Sequence, residues 1–294
     1  MQDSVPPPCP APPAAQRRSS RLDLPAGAVD CHAHVIGSPP EYPFVQQRSY
    51  TPASATPESY LAMLDATGMT YGVLVQVSVH GTDNRLLLQT LRGNRTRLRG
   101  IAVMPLGLPE SAYAAAKEAG VCGLRLNDLY GGGIDFSQLR EYGALAREMG
   151  WHLQFLLDVR RLPELAPAIS ALPVRFVVDH MGHFPVAEIP LHDARFQTLV
   201  GLVRDGGWVK LSGAYRLSAG EPPYEDTVPY ARCLFDAAPT RCVWGSDWPH
   251  VAHWKTMMGV NDLLDTLSLW LPSPEAQRAV LVDNPAILYG FARP

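Results

Sequence analysis

Residues 28–34 read AVDCHAH, a short run of mostly small or apolar residues that carries two histidines at its end. Seven comparable runs follow along the 294-residue chain: 72–78 (GVLVQVS), 99–104 (RGIAVM), 123–127 (GLRLN), 152–157 (HLQFLL), 175–180 (RFVVDH), 208–213 (WVKLSG) and 242–247 (CVWGSD). Most of them are continuously apolar, which is typical of parallel strands that are covered on both faces. The sequence therefore predicts eight parallel strands.

Helical patterns lie between these runs, at 57–67 (PESYLAMLDAT), 110–119 (ESAYAAAKEA), 137–149 (SQLREYGALAREM) and 193–204 (DARFQTLVGLVR). Gly120 and Gly150 follow two of them as helix stops, and Pro57 suits a first helical turn. Eight alternations of strand and helix predict a (β/α)₈ TIM barrel over residues 26–294. An open doubly wound sheet is the alternative, but no GxGxxG phosphate loop follows the first strand.

The first 25 residues differ in composition from the rest. They contain PPPCPAPP and then RRSSR, without the apolar stretch of a secretory signal. Such a segment buries too little apolar surface to fold, so we expect a disordered tail over residues 1–25. A targeting or partner-binding segment is the alternative.

Composition excludes several classes of function. Lysine and arginine number 25 against 28 aspartates and glutamates, so the net charge of −3 offers no footprint for nucleic acid or for an anionic membrane. No run of about 18 apolar residues is present to span a membrane. The five cysteines are odd in number and lack CxxC spacing, which favours reduced thiols and a cytoplasmic location over disulfides or a zinc ribbon.

Polar residues cluster where the predicted strands end, and that end of a barrel is where active sites form. His32 and His34 are two apart on a strand, so both are expected to point into the barrel mouth. His180 ends the sixth strand and Asp247 ends the eighth. Each histidine alone could be a core residue, and Asp247 could cap a helix. Together the four predict a catalytic site in which imidazoles bind a metal or polarise a carbonyl and Asp247 activates water.

Four motifs, in order along the chain, resemble the amidohydrolase superfamily: DCHAH (30–34), VVDHMG (177–182), WGSDWPH (244–250) and DNPAILYGF (283–291). The resemblance covers residues 26–292 and is greatest to the branch that contains the 2-pyrone-4,6-dicarboxylate lactonases and the sugar-acid and muconolactone-type lactonases. It implies a barrel hydrolase that opens a cyclic ester. In that family the residue matched by Asp247 deprotonates water, and those matched by His32, His34 and His180 polarise the carbonyl.

The resemblance also bears on metal content. Binuclear members have a bridging lysine or carboxylate on strand four and a histidine on strand five. Here strand four offers Arg125, and His152 stands at the wrong end of strand five. We therefore expect no binuclear centre, and either no metal or one Zn²⁺ held by His32, His34, His180 and Asp247.

Further residues at the predicted barrel mouth are expected to contact the substrate. Arginine bonds both oxygens of a carboxylate, so Arg125 and Arg216 are candidates for that role, although each could instead form a structural ion pair. The remaining candidates for substrate contact are Tyr50, Ser78, His80, Asn127, His183 and His250.

Three functions remain open from the sequence. The first is a hydrolase acting on a small anionic lactone, with one carboxylate and several hydroxyls favoured over a dicarboxylate. The second is a lactone isomerase or decarboxylase on the same scaffold, and the third is a catalytically silent binding protein. The sequence leaves a homo-oligomer open.

Overall fold

The computed structural model describes residues 6–13, 15–255 and 257–293. Within them, eight parallel strands pair in sequence order. They are β1 (Val29–Ala33), β2 (Tyr71–Val75), β3 (Leu98–Ala102), β4 (Val121–Asn127), β5 (His152–Leu156), β6 (Phe176–Val178), β7 (Trp208–Leu211) and β8 (Cys242–Trp244). Helices connect successive strands, as a (β/α)₈ barrel requires.

The ring closes where the first and last strands meet. The backbone N–H of Asp247 donates to the carbonyl of His32 at 2.8 Å, and that of His34 donates to the carbonyl of Trp248 at 2.8 Å. These bonds join the end of β1 to the segment that follows β8. The predicted TIM barrel is confirmed, and the open sheet is excluded.

The helices are α1 (Pro57–Thr67), α2 (Arg85–Gly93), α3 (Glu110–Ala119), α4 (Leu139–Met149), α5 (Leu162–Ser170), α6 (Ala194–Arg204), α7 (Ala214–Leu217), α8 (Val228–Ala237), α9 (Val260–Trp270), α10 (Pro274–Arg278) and α11 (Asn284–Tyr289). The predicted helices at 57–67 and 110–119 match α1 and α3. Gly120 and Gly150 end their helices with positive φ values of 114° and 69°, a conformation that glycine adopts without strain.

Except for β4, which ends at Asn127 as predicted, the predicted strands extend beyond the observed ones at their carboxyl ends. The run 242–247 leaves the sheet after Trp244, and the run 175–180 leaves it after Val178. His180 and Asp247 have positive φ values of 49° and 58°. The predicted strands thus include residues beyond the hydrogen-bonded sheet. At His180 and Asp247 the backbone turns and places the side chain at the mouth of the barrel.

One apolar cluster fills the interior of the barrel below the mouth. It joins side chains from six strands with Leu288, Tyr289 and Phe291 of the DNPAILYGF motif. Cys31 belongs to this cluster and is fully buried. The C-terminal motif therefore closes the end of the barrel opposite the mouth.

The disorder predicted for residues 1–25 is not confirmed. Residues 1–5 lie outside the described residues, but Pro8 forms a parallel bridge with Thr51, and the N–H of Cys9 donates to the Thr51 carbonyl at 2.8 Å. The Trp254 indole donates to the carbonyl of Pro8 at 3.0 Å. A proline-rich composition disfavours an independent core, but it permits an extended segment to pair along a neighbouring loop.

No helix in the described parts of the chain has both the length and the apolar character needed to cross a membrane.

Candidate active site

A narrow cavity lies at the mouth of the barrel. The space between its walls amounts to about 240 Å³, including the part that is open to solvent. Its walls are formed by His34, Tyr50, Ser78, Arg125, Tyr130, Leu156, His180, Arg216, Asp247 and Val251. The cavity therefore brings together most of the site residues that the sequence predicts.

Asp247 is fully buried at this mouth. Its Oδ2 atom accepts hydrogen bonds from the Tyr215 hydroxyl at 2.6 Å and from Nε of Arg216 at 2.7 Å. Its Oδ1 atom has no hydrogen-bond partner among the described residues and lies 3.7 Å from Nε2 of His32 and 3.6 Å from Nε2 of His34. Asp247 does not cap a helix, because the next helix, α9, begins only at Val260.

The charge of Asp247 is stabilised by its neighbours. Burial alone would raise the pKa of this carboxyl group. The Arg216 guanidinium is the largest of the influences that offset burial, and the pKa of Asp247 is held well below its ordinary value. The carboxylate is therefore ionised at neutral pH, with one oxygen fixed and the other free.

Three histidines direct one ring nitrogen each toward this carboxylate and fix the other. Nδ1 of His34 lies 2.8 Å from the carbonyl oxygen of Val75, and Nδ1 of His180 lies 2.9 Å from Oγ of Ser212. Nε2 of His180 lies 3.7 Å from Oδ2 of Asp247. This arrangement, in which the outer ring nitrogen is anchored and the inner one is presented, also orients histidines in metal sites.

Burial lowers the pKa of His32 to about 3 and also lowers the pKa of His34 and of His180. The three rings are therefore neutral near pH 7, and each carries one N–H. The Val75 carbonyl can only accept, so Nδ1 of His34 holds the proton and its Nε2 is an acceptor. That Nε2 atom faces the free acceptor Oδ1 of Asp247, so the pair needs a proton donor or a cation between them.

A fully buried lysine lies behind His32. Nζ of Lys210 donates to Oε1 of Gln154 at 2.8 Å and lies 3.2 Å from Nδ1 of His32 and 3.4 Å from Oδ1 of Asp179. Burial lowers the pKa of Lys210, and the charge of Asp179 opposes that shift. Three acceptors surround this amine, which matches the three N–H donors of an ammonium group.

Among the described residues, two sets of side chains have donor atoms close enough to hold a metal ion: His32, His34 and Asp247 in one, and His32, Asp179 and His180 in the other. In the first set, the acceptor Nε2 of His34 and the free Oδ1 of Asp247 fit a divalent cation. In the second, the amine of Lys210 already lies beside Asp179. Because both sets need His32, these donors fit one metal ion better than two.

The two arginines predicted to hold a carboxylate both line the cavity, but their partners differ. Arg125 makes long contacts of 3.4 Å to Asp179 and to a backbone carbonyl, and its Nε has no partner among the described residues. Arg216 is occupied by Asp247 and by the carbonyl of Val251, at 2.9 Å. Arg125 is thus the more available cation, and Arg216 chiefly holds Asp247.

Tyr50 and Ser78 are placed in the cavity wall as the sequence predicts. The Tyr50 hydroxyl and Oγ of Ser78 lie 3.0 Å apart, and both residues are buried. The Tyr50 ring packs edge-on against Tyr130, with ring centres 5.5 Å apart. Neutral hydroxyl groups therefore lie in the same wall as Arg125.

Two other predicted contacts fix loops instead of lining the cavity. Nε2 of His80 accepts from the backbone N–H of Gly37 at 3.2 Å, and its Nδ1 lies 3.3 Å from the carbonyl of Pro43. Oδ1 of Asn127 accepts from the backbone N–H groups of residues 129 and 130 at 2.9 and 3.2 Å. Both side chains are already engaged by backbone, so this structure does not support a substrate contact for either.

His183 and His250 lie behind the cavity wall. Nε2 of His183 is 3.4 Å from the Tyr130 hydroxyl, and burial lowers the pKa of His183 to about 4. His250 is fully buried, its ring packs edge-on against Tyr215 at 5.5 Å, and neither of its ring nitrogens has a hydrogen-bond partner in the described parts of the chain. Each therefore contacts a residue of the site without lining the cavity itself.

Sequence reasoning missed four residues of this site: Gln154, Lys210, Tyr130 and Tyr215. A signal existed for two of them, because Gln154 and Lys210 are polar residues in the middle of otherwise apolar strands. Such residues are costly to bury without partners. Tyr130 lies on the loop after β4 and Tyr215 lies in the four-residue helix α7 after β7, and neither segment is long enough to show a periodic pattern.

Comparisons with known proteins agree with this geometry. The amidohydrolase family model matches residues 29–291. The chain is 35% identical to a 4-sulfomuconolactone hydrolase of Hydrogenophaga intermedia, over 92% of this chain and 91% of that protein. It is 34% identical to a 2-pyrone-4,6-dicarboxylate hydrolase of Comamonas testosteroni, over 92% of each.

A solved structure supports the same assignment. The crystal structure of a protein from Pseudomonas putida described as a 2-pyrone-4,6-dicarboxylic acid hydrolase is 32% identical, with a TM-score of 0.79, over 92% of this chain and all of that one. The family match spans the barrel from β1 through the C-terminal motif. The chain is therefore an enzyme of the amidohydrolase family.

Proposed function

We propose that this enzyme hydrolyses a small carboxylated lactone. The observation that carries the proposal is the free Oδ1 atom of Asp247, which faces Nε2 of His32 and of His34 at the mouth cavity. Two relatives, each about a third identical over nine-tenths of the chain, are by name hydrolases of a lactone and of a pyrone. A cyclic ester is the substrate class that those names share.

Asp247 is the base in this proposal. A water molecule between Oδ1 of Asp247 and Nε2 of His34 would donate one hydrogen bond to each of these two acceptors. Asp247 takes a proton from this water as the oxygen attacks the lactone carbonyl. Because its pKa is held low, Asp247 gives the proton up readily to the ring oxygen when the carbon–oxygen bond breaks. The products are a hydroxyl group and a carboxylic acid on one open chain.

His32 polarises the lactone carbonyl. With Lys210 as an ammonium donating to Nδ1 of His32, Nε2 of His32 carries the proton and lies 3.7 Å from Oδ1 of Asp247, which lines the cavity. A neutral N–H donor at this point stabilises the oxyanion that forms on the carbonyl oxygen. His180 supplies a second donor if Oγ of Ser212 donates to its Nδ1.

Arg125 binds the substrate carboxylate, together with the hydroxyls of Ser78 and Tyr50. The Nε of Arg125 is unpartnered within the described residues, and its other contacts are long, so a carboxylate would gain charge-assisted bonds there. The substrate's acidic group and its reacting carbonyl would then lie at two sides of one small cavity. These two contacts position the lactone ring for attack by the water molecule that is hydrogen-bonded to Asp247.

A metal is not required by this scheme, but the donor set fits one. His32, His34 and Asp247, with His180 beside them, would hold a single Zn²⁺, which would polarise the carbonyl and lower the pKa of bound water. Ligation through Nε2 of His32 requires that this nitrogen carry no proton. The positive charge of Lys210 beside Asp179 argues against a second ion.

The test is turnover of a lactone panel in H₂¹⁸O, with products identified by NMR and mass spectrometry. A hydrolase yields a ring-opened acid with one ¹⁸O atom in the carboxylate. An isomeric lactone without ¹⁸O would indicate an isomerase, and loss of CO₂ would indicate a decarboxylase. Binding without any conversion across the panel would identify a silent binding protein and overturn the proposal.

A further inference from the structure

A buried carboxylate joins the first strand to the segment that follows the last one. Asp30 lies on β1 and is fully buried. Its Oδ1 atom accepts from the backbone N–H of Ser246 at 2.7 Å and from that of His32 at 3.2 Å. Its Oδ2 atom accepts from the Ser246 hydroxyl at 2.7 Å and from the Tyr60 hydroxyl at 3.2 Å. Asp30 therefore bonds both to the backbone of His32 and to the residue directly before Asp247.

Ser246 fixes the turn on both sides of Asp247. Its Oγ atom donates to Asp30 and accepts from the backbone N–H of Trp248 at 3.0 Å. The residues before and after Asp247 are thus tied to one hydroxyl group, and that hydroxyl is tied to Asp30. The side chains of Asp30, Ser246 and Trp248 do not line the mouth cavity. Any effect of this network on the reaction must therefore pass through the turn.

The turn holds Asp247 in a strained backbone conformation. Asp247 has a φ of 58°, in the left-handed region that residues with a side chain adopt uncommonly. Such a conformation persists only where the surrounding structure imposes it. The bond from the Asp247 N–H to the His32 carbonyl is one constraint, and the bonds of Ser246 add others on both sides. The constrained turn places Oδ1 of Asp247 3.7 Å from Nε2 of His32.

Gly245 allows the two segments to approach so closely. A Cβ atom added at Gly245 would lie 2.7 Å from the backbone nitrogen of His32 and 2.7 Å from its Cβ atom. A side chain at this position would push the segment after β8 away from β1 and lengthen the bonds between Ser246 and Asp30. The residue directly before Ser246 thus lacks a side chain at the point where contact with β1 requires it.

From these contacts we infer that Asp30, acting through Ser246, is a positioning residue that holds Asp247 beside His32. The inference rests on the proposed role of Asp247 as the base, and it adds to that mechanism two residues outside the cavity. Tyr60 donates to the same Oδ2 atom from α1, but its hydrogen bond does not involve the turn. The bond from Ser246 should therefore affect catalysis, and the bond from Tyr60 should affect only stability.

The experiment compares Ser246→Ala with Tyr60→Phe, because each removes one buried hydroxyl that donates to Oδ2 of Asp30. Tyr60→Phe keeps the ring that packs against Trp248. On the lactone that the wild type hydrolyses fastest, we expect Ser246→Ala to lower kcat about 10- to 100-fold, as a small misplacement of a catalytic group does, and to change KM less than about 3-fold. Tyr60→Phe should lower Tm but change kcat less than about 2-fold, because its bond is the same in the ground and transition states.

A change in kcat below about 2-fold in Ser246→Ala, or an equal loss of kcat in both variants, would overturn the inference. If Ser246→Ala does not fold, Ser246→Cys replaces it, because a thiol has a similar shape but forms only weak hydrogen bonds. The kcat of Ser246→Cys must then fall below that of Tyr60→Phe.

Asp30→Asn tests the carboxylate itself. If Asp30 acts through Ser246, the double variant Asp30→Asn/Ser246→Ala should have a kcat close to that of the slower single variant, because residues that act as a unit show non-additive effects. Losses of kcat that multiply in the double variant would show that the two residues act separately, against the inference.

Crystal structures of the Ser246→Ala and Tyr60→Phe variants separate this inference from the proposed function. The reference values are the φ of 58° at Asp247 and the 3.7 Å between its Oδ1 atom and Nε2 of His32. If no lactone is hydrolysed but Asp247 leaves this conformation in Ser246→Ala and keeps it in Tyr60→Phe, the positioning role stands and the hydrolase proposal fails. If lactones are hydrolysed but Asp247 is unmoved in Ser246→Ala, the positioning inference fails alone.

Discussion

The amine of Lys210 lies 3.2 Å from Nδ1 of His32, with both side chains fully buried inside the barrel. An ammonium can only donate, so hydrogen bonding to Lys210 places the proton of His32 on Nε2, the nitrogen that faces Asp247. Oδ1 of Asp179 lies 3.4 Å from the same Nδ1 atom and can only accept, so a bond to Asp179 would place the proton on Nδ1 instead. We expect the shorter contact, to Lys210, to determine which ring nitrogen of His32 is a donor. The charge of Lys210 is stabilised in turn by Asp179.

We expect Lys210→Met to lower kcat about 10- to 100-fold, the usual effect of losing a group that orients an active-site histidine, with KM changed much less. The ¹⁵N NMR signals of His32 should shift toward the Nδ1–H tautomer. Lys255→Met, at an exposed lysine, is the control. An unchanged tautomer together with an unchanged kcat would refute the orienting role, and thermal unfolding distinguishes either result from simple loss of fold.

Asp247→Asn should reduce kcat at least ~10²-fold, because the amide cannot accept a proton from water. The measurement is single-turnover hydrolysis of the best lactone, with Asp236→Asn as an exposed control. Since the substitution also leaves Arg216 without its carboxylate partner, circular dichroism must show that the barrel is intact. Turnover near that of the wild type in a folded variant would exclude Asp247 as the base.

Replacement of Arg125 by methionine should raise KM for a carboxylated lactone about 10-fold or more. Each charge-assisted hydrogen bond is worth ~1.5–3 kcal/mol, and one that is lost equally from the ground and transition states affects mainly KM. Arg92→Met, on the exposed face of α2, is the control. If KM is unchanged while stability falls, Arg125 serves only as the partner of Asp179.

The pH dependence of kcat/KM should depend on the ion pair between Arg216 and Asp247. Burial raises the pKa of Asp247, and Arg216 offsets that shift, so removing this cation in Arg216→Met should move the acid limb of kcat/KM to higher pH. Arg216→Lys, which keeps the charge, should move it less. In the wild type, the pKa of Asp247 is lower in the folded protein than in the unfolded chain, where it is about 3.9. Ionised Asp247 therefore adds to the free energy of unfolding above pH ~3.9. This contribution is lost as the pH falls through the pKa of Asp247 in the folded protein. Superimposable acid limbs in all three proteins would contradict the pairing.

Elemental analysis should find at most one tightly bound metal ion per chain, because the two candidate donor sets share His32. Activity is then compared before and after chelation and after reconstitution with zinc. Full activity in the chelated enzyme supports polarisation by the histidines, and activity restored only by zinc supports the metal. Two ions per chain after exhaustive dialysis would show that the site is binuclear.

The sequence predicted the barrel well because its signal is periodic and repeated. Eight apolar runs, each followed by a helical pattern, leave few other arrangements, and His32, His34, His180 and Asp247 meet as their strand positions indicate. The strand boundaries are predicted less accurately, because the predicted strands extend to His180 and Asp247, which have positive φ values and lie beyond the ends of β6 and β8.

Contacts that depend on loop geometry could not be predicted. His80 follows β2 and Asn127 is the last residue of β4, both at the active end of the barrel, but their side chains bond to nearby backbone. Arg216 was expected to hold substrate, and only the three-dimensional arrangement reveals that Asp247 already occupies its Nε. The sequence shows Lys210 as a polar residue inside an apolar strand, which predicts that it has buried partners, but it does not show that those partners are His32, Gln154 and Asp179.

The place where the barrel closes determines when the site can form during synthesis of the chain. The hydrogen bonds that close the ring run between His32 and Asp247 and between His34 and Trp248, so the residues that complete the circle also bear the proposed base and the histidines beside it. Synthesis proceeds from the N-terminus, and these partners lie at opposite ends of the chain. A ribosome-bound fragment that lacks β8 therefore holds these histidines without Asp247, and under the proposed mechanism it cannot activate water until the last strand docks.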